Sequence, residues 1–307
     1  MTFSFNVKDE VTRLETTKTE NISELSAIIR NSADVGNNII INIENNAVAR
    51  RIYKLIKNIY GVTPIITVRK KYFNNGLSYI LEIRHKKEEI LKDLSIIDKD
   101  LNYLNIPKEY IVSDEEDIRA YLRGLFVVSG SVNDPKKSRY HLEFVVDNLE
   151  YAYFIKKLFD NYNLNAKVIK RTKNYTVYVK EAEKISDFLR VIKAYNAVMY
   201  FEDIRIYRDH KNMTNRLNNC EQANVDKIFL TSQAQIKDIE KLKEYDMIDL
   251  LDEKLQELIK YRLEYPESSL QELSEIISIE TGNKITKSGL NHRFRKIKEI
   301  VSKLENR

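Results

Sequence analysis

The side chains best equipped for chemistry lie near the C-terminal end of this chain. Thr286, Lys287, Ser288, Asn291, His292, Arg293, Arg295 and Lys296 crowd together there. None is a nucleophile with a base placed beside it. They are hydrogen-bond donors suited to phosphates and to base edges, Arg and Lys matching guanine and Asn matching adenine. Leu290, Phe294, Ile297 and Val301 recur between them at helical spacing, which predicts one helix with an apolar face turned to a core. Lys287, Asn291 and Arg295 then share another face, flanked by Ser288, His292 and Lys298. A second donor set comprises Arg69, Lys70 and Lys71 with Lys167, Arg171 and Lys173. Period-two alternation puts Thr67, Arg69 and Lys71 on one face of a strand, Lys167, Arg171 and Lys173 on another, and Thr176, Tyr178 and Lys180 on that strand's neighbour.

Charge is segregated around both sets. Residues 50–84 hold eight Lys/Arg against Glu82 alone, and residues 284–303 hold seven against Glu299 alone. The net charge is only +5, so two basic regions stand out from a near-neutral chain. That is the footprint expected of a nucleic-acid partner, although charge by itself also fits ordinary solvated faces.

Other chemistries are argued against by what the 307 residues omit. His85, His141, His210 and His292 lie far apart, and none has metal-ligand spacing to another His or to Cys220, so no metal is expected. A single cysteine excludes an internal disulfide and fits a reducing cytoplasm. The seven glycines form neither of the common phosphate cradles, so no nucleotide cofactor is expected. No apolar run nears the ~20 residues of a membrane span, and the first residues lack a signal-peptide pattern.

Two copies of one pattern position these groups. Each opens with an apolar helix ending in small residues, Leu25 to Ala33 and Leu122 to Gly130. Strand-like alternation follows at Ile39–Ile43 and His141–Val146, then amphipathic helices at Asn46–Tyr60 and Asn148–Tyr162. Hairpins close the units, Ile65–Arg69 with Ser78–Ile83 and Lys167–Arg171 with Tyr175–Val179. One such unit cannot cover its sheet alone, so a pseudo-dimer is expected, with Ala27 and Gly124 allowing the opening helices to approach closely.

The C-terminal region reads as three short helices. Leu255, Leu258, Ile259 and Leu263 form the apolar stripe of the first. Ser269 and Glu272 make a capping box for the second, and Thr286 caps the third with Ile285 and Leu290 as a staple. The basic third helix makes Ser269 to Lys303 a helix-turn-helix, while a three-helix protein-interaction bundle is the alternative. Phe201 to Asn224, rich in Asn and Arg, has no assigned role; contact with phosphates, a bound partner and a buried connector all fit it.

The register L-x-[AG]-[IL]-[IF]-x-x-S-[AG], shared by Leu25–Ala33 and Leu122–Gly130, resembles the paired motif of the LAGLIDADG homing endonucleases. That resemblance implies a metal-binding acid at the eighth position of each helix. Here Ser32 and Ser129 stand there, neutral and poor ligands for a hard cation, so the metal-ligand positions are lost. Asp34 and Asp134 would replace them only in a shifted register.

Longer motifs carry a second resemblance, covering nearly the whole chain, to the WhiA family. These are Tyr121–Gly124 with Ser129–Ser131, Tyr140–Glu143, Leu164–Lys167, Phe201–Asp209, Asn215–Asn224 and Lys287–Lys296. The resemblance implies an α+β fold: a duplicated LAGLIDADG-like αββαββα pseudo-dimer followed by an all-α helix-turn-helix domain. The expected boundaries are 1–200 for the pseudo-dimer (repeats about 20–95 and 118–200), 201–250 for a connector and linker, and 251–307 for the helix-turn-helix. It further implies a non-catalytic, cytoplasmic and nucleoid-associated regulator that binds double-stranded DNA, linked to transcription, cell division and chromosome segregation, and in some relatives to sporulation. The alternatives are a scaffold for division proteins or an RNA polymerase sigma factor, and a divergent active endonuclease.

Overall fold

The computed structural model describes residues 2–70, 76–137 and 139–305. The chain divides into two compact units, Met1–Arg208 and Asp209–Arg307. In the first, helix α1 (Phe3–Val11) precedes a repeat made of α2 (Lys18–Ser32), β1 (Ala33–Val35), β2 (Ile39–Ile43), α3 (Asn46–Tyr60), β3 (Ile65–Lys70), β4 (Leu77–Ile83) and α4 (Lys87–Asp93). The second repeat has the same order: α5 (Glu115–Ser129), β5 (Gly130–Val132), β6 (Leu142–Val146), α6 (Leu149–Asp160), β7 (Lys167–Lys170), β8 (Tyr175–Val179) and α7 (Ala182–Val191). The sheets are antiparallel with equivalent topologies, β1-β2-β4-β3 and β5-β6-β8-β7. The duplicated αββαββα architecture is therefore present.

Local chemistry recurs between the copies. Asn45 caps α3 by accepting the Ala47 amide at 2.8 Å, and Asn148 caps α6 by accepting the Glu150 amide at 2.8 Å. Ile39, Ile41 and Ile43 of β2 are buried against the helices, while Ile40 faces outward. Both α2 and α5 end abruptly because Ala33 and Gly130 are already extended, so each helix feeds straight into a strand.

The opening helices α2 and α5 cross closely at the centre of this unit. Ala27 is fully buried there, and a Cβ on Gly124 would drive into the Glu24 carbonyl oxygen. The Glu24 carboxylate, 1% exposed, takes two bonds from the Arg51 guanidinium, both 2.9 Å, and one from Arg123 Nε at 3.1 Å. Arg123 is wholly buried, and its Nη2 lies 3.6 Å from Glu20.

In the second unit, α9 (Glu253–Glu264), α10 (Leu270–Thr281) and α11 (Lys287–Glu305) pack around Leu255, Leu258, Ile259, Leu273, Ile277, Leu290, Phe294, Ile297 and Val301. Helix α8 (Tyr195–Glu244) contributes Ile239 and Leu242 to this core and carries the Asn-rich segment. The start of that segment is packed, with Phe201 fully buried, whereas residues 209–231 are exposed, including Met213 and Leu217. Leu263 is also exposed, contrary to the expected stripe. Arg262 takes the buried place because it follows Leu258 by four residues and Ile259 by three, and its guanidinium stacks 5.5 Å from the Phe294 ring centroid.

Replacing Glu24 by Ala strands Arg51 and Arg123 and should cost about 3–5 kcal/mol in urea denaturation. Gly124→Ala should cost about 1–3 kcal/mol or more through overpacking. A Gly124→Ala chain as stable as the parent would disprove the close crossing.

Candidate nucleic-acid interface

The helix-turn-helix is held by local bonds. The Ser269 amide donates to Glu272 Oε2 at 2.7 Å and the Glu272 amide to Ser269 Oγ at 3.2 Å, which starts α10 and holds the Glu272 carboxyl below its usual pKa. Helix α10 ends at Gly282, whose φ of 69° suits a residue without Cβ. The turn is pinned where the Ile285 amide donates to Ser278 Oγ at 3.0 Å. Thr286 Oγ1 accepts the Gly289 amide at 3.2 Å and so caps α11.

Burial sorts the donors of α11. Leu290, Phe294, Ile297 and Val301 are buried, while Lys287, Ser288, Asn291, His292, Arg295 and Lys296 are exposed. By helical spacing Ser288, Asn291, His292 and Arg295 oppose the core, and no carboxylate precedes Glu299 on this helix. Arg293 departs from the expectation. It is half-buried and turned back onto α9, its Nη1 donating to the Lys254 carbonyl at 3.3 Å and lying 3.9 Å from Glu257. The cause is its register, one residue before Phe294 and beside the core seam, so it braces α9 rather than joining the outward row.

The sheets carry the second donor set less uniformly. Arg69 and Lys70 are exposed on β3 but alternate to opposite faces; Lys71 lies outside the described residues. Lys167 is exposed on β7, whereas Arg171 and Lys173 lie beyond that strand, in the turn before β8. Arg171 pairs with Glu143 at 3.2 Å, and His141 Nε2 lies 3.1 Å from the same carboxylate. Pairing puts Asn42, Ile80 and Thr67 side by side on the outer face of one sheet, and Val145, Thr176 and Ile169 on that of the other. These faces mix apolar, polar and charged groups. Thr176, expected on the open face, is fully enclosed, its neighbours Val145 and Ile169 being 39% exposed.

At the ends of α2 and α5 the hydroxyls turn back onto their own helices. Ser32 Oγ donates to the Ile28 carbonyl at 2.7 Å and Ser129 Oγ to the Leu125 carbonyl at 3.0 Å. Asp34 lines one cavity with Asn31, Asp147 and Asn148, while Asp134 lines a different one with Glu10 and Asn196. The two acids are not brought together. No group of three or more His, Cys, Asp or Glu suited to a metal occurs among the described residues. None of their helices is long and apolar enough to cross a membrane.

A paired-repeat LAGLIDADG-like scaffold, with serines at its helix ends and a helix-turn-helix following it, defines the class. Three family models match: the WhiA N-terminal LAGLIDADG-like domain over residues 18–97, the WhiA LAGLIDADG-like domain over 118–211, and the WhiA C-terminal HTH domain over 214–301. A probable cell division protein WhiA of Bacillus cytotoxicus is 42% identical over 310 residues, covering 99% of this chain and 97% of that protein. That of Macrococcus caseolyticus is 42% identical over 312 residues, covering 100% and 98%. The crystal structure of full-length DUF199/WhiA from Thermatoga maritima superposes with a TM-score of 0.59 at 25% identity, covering 99% of each chain. The chain belongs to the WhiA family.

Neutralising Lys70 and Lys167 together should weaken binding to every duplex alike and flatten the log–log salt dependence by about 2. Titrations from low to moderate salt test this, and an unchanged slope would remove the sheets from the interface.

Proposed function

We propose that this chain is a sequence-specific double-stranded DNA-binding regulator without catalytic activity. It acts in bacterial cell division and chromosome segregation through control of transcription, within the cytoplasm and on the nucleoid. The observation that carries this reading is the outward row of α11: Ser288, Asn291, His292 and Arg295 stand exposed opposite a well-packed core. Such a row offers base-edge donors, while Lys287 and Lys296 supply charge toward phosphates. The named role of the relatives in cell division supports the process assigned. Loss of catalysis is supported by Ser32 and Ser129, whose hydroxyls are engaged within their helices. In this reading residues 1–200 are the scaffold, 201–250 the connector and linker, and 251–307 the reading head.

A second reading, a docking platform for a sigma factor or a division protein, is favoured by the exposed apolar residues of α8. Met213, Leu217, Phe229 and Leu230 are each more than half exposed.

Arg295→Ala should lower binding to the best duplex by about 1–3 kcal/mol and relax discrimination at one base pair, whereas Arg293→Ala should leave discrimination intact. Gel-shift competition against scrambled duplex measures both. Undiminished discrimination in Arg295→Ala, together with cellular function that survives neutralising Lys287 and Arg295, would transfer the role to the docking platform.

A further inference from the structure

Within the second unit, α8, the end of α9, and the starts of α10 and α11 line a half-open cleft of about 500 Å³. Arg262, Lys227, Lys287, Ser269, Gln271 and Thr231 stand in its wall, and no Asp or Glu does. Three cations facing one space without a carboxylate is an unbalanced arrangement.

Arg262 makes the imbalance acute. It is 1% exposed; its Nη1 donates to the Ser268 carbonyl at 2.7 Å and to the Tyr265 carbonyl at 3.3 Å, but its Nε–H has no acceptor. Burial alone pulls its guanidinium below the ordinary pKa, with no opposing carboxylate to hold it up. A buried guanidinium with an unsatisfied donor is costly, and an anion held in the space it lines would supply the missing counter-charge. The N-terminus of the 12-residue α10 opens here too. Its first amides, those of Leu270 and Gln271, lack intrahelical acceptors, and its dipole favours negative charge. Glu272 is tied to the Ser269 amide and does not line the cleft.

We propose that this cleft is a phosphate site, and that its occupant is one backbone phosphate of the bound duplex. The assignment rests on the DNA-binding reading above. Its reason is position: Lys287 and Gln271 also line the groove between α10 and α11, beside Thr286 and Ser288 at the start of the basic helix. A phosphate seated here sets where Ser288 and Asn291 meet the bases, so the site fixes register and carries no sequence preference.

The experiment uses the full chain and its tightest duplex, with phosphates replaced one at a time by neutral methylphosphonate. Wild type should lose affinity on the order of tenfold at one position, the size of one charge-assisted contact. Lys227→Gln changes an exposed α8 residue, so melting in chloride should be unaltered. That variant should bind the unmodified duplex on the order of tenfold more weakly. It should lose nothing further at that same position while still rejecting scrambled duplex.

Separately, inorganic phosphate at matched ionic strength should raise the melting temperature of DNA-free wild type but not of Lys227→Gln. Phosphate protection with no scanned position coupled to Lys227 would overturn the backbone assignment in favour of a free anion. Absence of both effects would overturn the site itself. A chain that binds no duplex, yet is protected by phosphate through Lys227, would overturn the DNA reading and the backbone assignment together.

Discussion

The first unit is organised around one buried carboxylate. Glu24 on α2 receives Arg51 from α3 and Arg123 from α5, so a single side chain ties both repeats together where their opening helices cross. Such an ion cluster adds little net stability, because desolvating three charges offsets much of their attraction. It does make misalignment expensive. Sliding α5 by one turn would break the bond from Arg123 Nε to Glu24, and it would bring a larger side chain to the place where Gly124 meets the Glu24 backbone. Apolar contacts along these helices would tolerate several registers; the charges and the missing Cβ leave one.

That fixed crossing determines what the helix ends can do. Ser32 and Ser129 complete their helices immediately before β1 and β5, so each is placed by the abrupt change from helix to strand that follows it. Both residues are neutral and bonded within their own helices at that point. A Ser Oγ returning to the carbonyl four residues earlier satisfies itself within its own helix. Asp34 and Asp134, the nearest acids in sequence, open onto separate cavities and bring no shared negative charge to that point.

The duplication was legible because it repeats apolar spacing, and apolar spacing decides which face of each element is buried. Asn45 and Asn148 cap equivalent helices, and counted from those caps Ile52 matches Ile155 and Ile56 matches Phe159, all of them core positions. The helix-turn-helix was legible for the same reason, its capping box and staple being local signals. What escaped were polar side chains used as packing. Arg262 carries no signal of burial, because a charged residue in an apolar stripe reads as a surface residue, although its register is the buried one and its guanidinium lies over the Phe294 ring. Arg293 shows the converse, since its charge points to an outward role while its guanidinium is engaged by α9. Nor could alternation along one strand reveal that Thr176 is covered by its cross-strand neighbours.

These placements change how the positive charge is divided. On the sheets, Arg171 shares Glu143 with His141, and Arg84 pairs with Glu82 at 2.7 Å, so part of the basic character of the first unit is spent internally. Counterion release counts only cations that reach phosphate, so sequence totals overstate what the sheets contribute. On α11 the carboxylate count is low and the cations other than Arg293 are exposed. Exposed cations thus remain on both units, Arg69, Lys70, Lys167 and Lys170 on the sheets of the first and Lys287, Arg295, Lys296 and Lys298 on α11 of the second. The crossing at Glu24 fixes the register of the duplicated scaffold, so the exposed cations of its sheets stand on a body of fixed shape.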